Sequence, residues 1–75
     1  MKRVHFDEYK KLGLTIAYYR KERGLSQIQL AEAVDVSRTH ISRIETYDCA
    51  LSLDVVFSIA KALGIPVMKL FEFRD

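Results

Sequence analysis

Arg38, Thr39, Ser42 and Arg43 are the side chains with the clearest chemistry in this 75-residue chain. At helical spacing they share one outward side, opposite Ile41 and Ile44. A guanidinium is a donor fork that matches O6 and N7 of guanine, and each such bidentate pair discriminates against the wrong base by about 1 to 3 kcal/mol. Threonine hydrogen-bonds a base or touches a thymine methyl. A short helix carrying Arg38, Thr39 and Arg43 into a major groove would therefore read base edges. His40 lies on the flank, placed either to contact a base or phosphate or to cover the side of the helix. Cys49, His40 and Asp48 include the residue types of a thiol hydrolase, but nothing supplies an oxyanion site and a bundle this small leaves little room for a pocket. Two His and one Cys without paired spacing make a poor zinc site. No catalysis, cofactor, metal or small-molecule ligand is expected.

The elements that must hold those side chains lie between Leu25 and Glu45. Ser26 with Gln29 three positions on forms a capping-box pattern, and Ile28, Leu30, Ala31 and Val34 recur at helical intervals, which predicts a helix from about Ser26 to Val34. Ser37 caps a second helix that runs to about Glu45, with Ile41 and Ile44 as its apolar stripe. Only about three residues separate the two, so the helices must cross steeply, and Ala31 supplies the small side chain that a close crossing needs. Asp35 falls where the turn requires a left-handed backbone, which Asp tolerates better than most residues.

Helix N-termini aim unpaired N–H groups outward and so bind phosphate oxygens. Ser26, Ser37 and Ser42 are hydroxyl-bearing candidates for such contacts, although Ser37 is needed first as a cap. The net charge of +2 says little by itself, but residues 1–23 hold seven basic side chains against three acidic ones, a net of +4 that leaves −2 for the rest. That end is a candidate phosphate-facing edge or, more blandly, a solvated helix face.

Three further helices complete an all-α, compact five-helix bundle occupying 1–75 as one domain. Helix 1 should start near Phe6 or Asp7, turn Leu12, Ile16 and Tyr19 inward, and stop at Gly24. Gly13 inside it implies a close neighbour or a bend. Ser52 caps helix 4, which runs through Leu53, Val56, Ile59, Ala60 and Leu63 to Gly64; Pro66 then opens a short helix through Val67, Met68, Leu70 and Phe71. Not all the apolar residues fit inside. Val55, Phe57, Ile65, Val67, Met68 and Phe73 crowd the C-terminal end, which suggests a homodimer interface or a docking surface for a protein partner. The start of the chain lacks the apolar core of a secretion signal, no apolar run approaches the roughly 20 residues that span a bilayer, and Cys49 has no internal partner. A cytoplasmic address and no membrane association follow.

The run RKERGLSQIQLAEAVDVSRTHISRIE, with SLDVVFSIAKALGIPVMKLF after it, resembles the lambda-repressor-like, or xenobiotic-response-element, family of helix-turn-helix regulators. The resemblance spans about Leu12 to Phe71. It implies that Arg38, Thr39 and Arg43 read bases, that Gln27 just inside the second helix grips a phosphate, and that Arg20 and Glu45 pair to join helix 1 to the end of the reading helix. Many short members pair through the C-terminal end, and they serve as phage repressors, restriction-modification controllers and antitoxins. Two departures stand out. Asp35 replaces the usual turn glycine, and Thr46, Tyr47, Asp48, Cys49 and Ala50 replace a Gly and a basic residue after Glu45, leaving Tyr47 to offer a hydroxyl to phosphate instead.

The expected function is sequence-specific binding of double-stranded DNA by a dimer at an inverted repeat. The rival is a protein-interaction or antitoxin-like module on the same fold, favoured by Asp35, Glu45, Asp48 and the modest net charge. Two arginines and a threonine at the reading positions weigh for DNA.

Overall fold

The computed structural model describes residues 4–46 and 49–73. Among them are five helices and no strands: α1 (Phe6–Glu22), α2 (Gln27–Ala33), α3 (Arg38–Glu45), α4 (Leu53–Leu63) and α5 (Val67–Leu70). Local chemistry starts three of them in the same way. Ser26, Ser37 and Ser52 sit in extended backbone and each accepts a hydrogen bond from the N–H three residues on, while the Gln29 side chain returns the bond to the Ser26 N–H at 2.8 Å. The expected capping box is thus complete.

Three helices also end alike. After α1 the Gly24 N–H donates to the Lys21 carbonyl and the Leu25 N–H to that of Arg20; Asp35 and Val36 repeat this on Glu32 and Ala31, and Gly64 and Ile65 on Lys61 and Ala60. This nested pair satisfies helix-end carbonyls and needs one left-handed residue. Gly24, Gly64 and Asp35 fill that position, Asp35 with φ of 59° as its place in the turn requires.

The core is built from Leu12, Ile16, Leu30, Ala31, Ile41, Ile44, Val56, Ile59, Ala60, Leu63 and Leu70, so every helix contributes. α3 packs against both α1 and α2, with α4 and α5 closing the far side. Gly13 shows why α1 tolerates a glycine: a side chain there would strike the backbone carbonyl oxygen of Ile44. Arg23, beyond the end of α1, donates from Nε to the Leu63 carbonyl at 2.7 Å and stands over the Tyr19 ring, clasping the C-terminal ends of α1 and α4.

Four expectations about packing need correction. Ile28 and Leu53 are exposed rather than inward. Each lies in the first turn of its helix, and the core stripes are carried by later residues. Tyr19 is only half-buried, and the interior position on the next residue goes to Arg20. Phe71 stands just past the last turn of α5, whereas Pro66 opens that helix as its N-cap, as expected. Among the described residues, no helix is long and apolar enough to cross a membrane.

Candidate nucleic-acid interface

Arg38 and Thr39 open α3 and are exposed, as is Arg43 one turn later; Ser42 and His40 are half-buried. The structure therefore brings Arg38, Thr39, Ser42 and Arg43 to one outward side, because Ile41, Ile44 and Glu45 take the inward one. His40, at the side, is half-buried, and the choice between a contact to DNA and a cover for the helix flank is not decided by its position.

Behind this surface lies a polar network that spans three helices. Arg20 donates from Nε to Glu45 Oε2 at 2.6 Å and from Nη2 to Oε1 at 3.1 Å, the two-point fit of a guanidinium to a carboxylate. The remaining terminal nitrogen, Nη1, donates to the Leu25 carbonyl at 2.7 Å. Both side chains are more than nine-tenths buried. Burying two charges carries a desolvation cost that only full pairing offsets, and here every buried side-chain polar atom among the described residues has a partner. The pair ties the end of α1, the loop after it and the end of α3 into one unit.

Gln27 extends the network to the surface. Its Nε2 donates to Glu45 Oε1 at 3.0 Å, and its Oε1 accepts from Arg38 Nη1 at 3.2 Å. A phosphate-facing role was anticipated for Gln27, but its two present partners were not, since they lie 18 and 11 residues away in the chain. The one local signal is that Gln27 and Arg38 each occupy the first position of their helices.

The other anticipated phosphate contacts divide. The Ser26 and Ser37 hydroxyl oxygens accept cap bonds from Gln29 and His40, at 3.0 Å each. A hydroxyl so used keeps its own proton to donate. Tyr47 and Asp48 lie outside the described residues. Cys49 is a half-buried free thiol.

The helix-turn-helix family model, designated HTH_3, matches residues 16–70. The chain belongs to this family. Within it, the chain is similar to the immunity repressor protein of Bacillus phage phi105, at 43% identity over 56 residues covering 75% of this chain and 39% of the repressor. It is also similar to an uncharacterized HTH-type transcriptional regulator of Methanocaldococcus jannaschii, at 37% identity over 60 residues, covering 80% of this chain and 91% of the regulator. Among solved structures, the restriction-modification controller protein of Aeromonas hydrophila superposes with a TM-score of 0.84 at 29% identity, over 87% of this chain and 98% of that one. The chain thus spans about two fifths of the phage repressor's length and nearly all of the controller's. Family and relatives are regulatory proteins rather than enzymes.

The apolar surface at the C-terminal end differs from expectation. Val55, Ile65, Val67 and Phe73 are half-buried against the core, whereas Phe57 and Met68 are exposed, at 52% and 68%. Leu53 and Phe71 join them as exposed apolar residues that the sequence did not single out.

Proposed function

We propose that this helix-turn-helix domain is a sequence-specific, double-stranded-DNA-binding transcriptional regulator that reads base edges with Arg38, Thr39 and Arg43 on α3. The observation that carries the proposal is the braced reading helix: an outward row of exposed donors, held from behind by a buried Arg20–Glu45 pair. Rigid support of that kind suits readout, because hydrogen bonds to base edges discriminate only when the donor is placed to within fractions of an ångström.

Phosphate contacts would come from the second N–H of the Gln27 amide, from the hydroxyl protons of Ser26, Ser37 and Ser42, and from Tyr47. These fix register and orientation but carry no sequence information themselves. His40 would approach the duplex from the flank. A homodimer, formed through the exposed Phe57 and Met68 with Leu53 and Phe71 at its edge, would set two copies of α3 about 34 Å apart on an inverted repeat. Val55, Ile65, Val67 and Phe73 would then support that interface from within rather than form it. Repression by occupying the site is the mode that the name of the phage relative favours, and regulation would run through protein concentration, dimerisation or a protein partner at the C-terminal end. A cytoplasmic address and organisation as one domain accord with this reading.

The test is selection of bound sequences from a random duplex library, in parallel with Arg38→Ala and Arg43→Ala, followed by a salt titration on the winner. The expected consensus is an inverted repeat that relaxes at one guanine in each variant. Log affinity should fall steeply with log salt, by about 0.9 for each phosphate neutralised. A folded protein that enriches nothing at low salt would transfer the assignment to the protein-interaction module.

A further inference from the structure

We propose that the cleft between the start of α1 and the chain after α5 binds a small, freely dissolved organic cation through its alkylated ammonium group, held by the rings of Tyr9, Phe71 and Phe73 and by the Glu8 carboxylate. The inference goes beyond DNA reading and does not rest on it, since no residue of α2 or α3 takes part. The cleft has a volume of about 320 Å³ and is lined by His5, Glu8, Tyr9, Leu12, Phe71 and Phe73. Such a volume lies at the lower end of the range for small-ligand pockets. Its walls come from opposite ends of the chain, so no local pattern announced it.

Leu12, buried in the core, forms the floor, and the half-buried Tyr9 precedes it on α1. Phe71 and Phe73 close the other side with ring centroids 6.4 Å apart and planes inclined at 56°, which makes a corner rather than a flat wall. Phe71 is 48% exposed and so has ring surface left for an occupant to cover.

A lining of carbon alone would accept any small apolar group. Charge makes the choice. An aromatic face attracts a cation within about 6 Å of its centroid, most strongly where water is excluded. A quaternary ammonium suits such a site because its charge is spread over methyl groups that have no hydrogen bonds to lose. Glu8 adds a carboxylate to the lining, 4.0 Å from His5 Nδ1, with both side chains mostly exposed. An exposed pair of that kind is worth little, so an entering cation displaces the imidazole at small cost. The start of α1 opposes a cation with about half a unit of positive charge. Asp7 and Glu8 in the first turn set two negative charges against it, and the balance favours the cation.

Choline and the uncharged alcohol in which carbon replaces its nitrogen separate charge from shape. The experiment titrates each into the full chain, Glu8→Gln and Phe73→Leu at constant ionic strength, following aromatic proton signals by NMR, with circular dichroism confirming folding. Choline should shift the Tyr9, Phe71 and Phe73 rings saturably in the millimolar range, and the uncharged alcohol should bind about fivefold or more weakly. Glu8→Gln should weaken choline by about threefold and leave the alcohol unchanged. Phe73→Leu should weaken choline more than the alcohol. Phosphatidylcholine vesicles, which carry the same headgroup, should neither shift these rings nor sediment the protein. Equal binding of the two probes, a Glu8→Gln variant with the parent's choline affinity, or saturable shifts absent from these rings would overturn the proposal, and co-sedimentation with vesicles would overturn the assignment to a free solute. None of these results bears on DNA selection, so the two readings fail separately.

Discussion

Glu45→Ala is the most direct probe of how the reading helix is held. The Glu45 carboxylate accepts two bonds from Arg20 and one from Gln27, and its truncation leaves the buried Arg20 guanidinium with the Leu25 carbonyl alone. Stranding one member of a buried pair costs about 3 to 5 kcal/mol. Arg20 keeps one good acceptor and 8% of its surface, which places this case near the lower end, about 3 kcal/mol. For a domain of 60 to 100 residues each kcal/mol moves the midpoint by about 4 to 8 °C, so the expected fall in Tm is about 12 to 24 °C. Thermal and urea denaturation followed by circular dichroism would measure it. The double variant Arg20→Met/Glu45→Leu removes both charges and fills their volume with apolar atoms; such replacements are often neutral or stabilising, so it should lie within about 1 kcal/mol of the parent. A Glu45→Ala midpoint within measurement error of the parent, or a double variant that loses the sum of both single losses, would refute the reasoning.

Three further outcomes follow from the packing and the surface. Gly13→Ala should destabilise by about 1 to 3 kcal/mol in urea melts despite the better helix former, because its methyl meets the Ile44 backbone, and a more stable variant would contradict that approach. Asp35→Gly should raise Tm by a few degrees and Asp35→Val lower it by about 1 to 2 kcal/mol, as the left-handed turn demands; the same Tm for both would show that the turn is not strained. Phe57→Glu combined with Met68→Glu should give a monomer by sedimentation equilibrium that keeps its half-site preference but binds the full inverted repeat more weakly. A variant that still sediments as a dimer would remove the C-terminal end as the interface.

What the sequence made legible was governed by local rules. Ser26, Ser37 and Ser52 marked helix starts, Gly24 and Gly64 marked ends, and the position of Asp35 in a short turn was enough to require its left-handed backbone. Tertiary geometry hid the rest. Ile28 and Leu53 match the apolar period of their helices, but the first turn of each reaches past the core, so periodicity alone assigned them inward. Arg20 and Glu45 would read as surface charges from composition; the family resemblance, not the residue pattern, identified them as a pair. The second engagement of Gln27 with Arg38 depends on how α2 and α3 cross, which no spacing rule encodes.

The close approach at Gly13 bears on how such a protein can change its target. Because α1 meets the main chain of α3 there, the pose of the reading helix is set by that backbone approach and by the buried Ile41, Ile44 and Glu45, while Thr39 is exposed. Substitutions at Thr39 can therefore accumulate without altering the scaffold that aims it. Lineages built on one frame are free to diverge there in the operators they recognise, and a designer can graft new preferences onto that position, while exchanges at Arg38 also remove its hydrogen bond to Gln27.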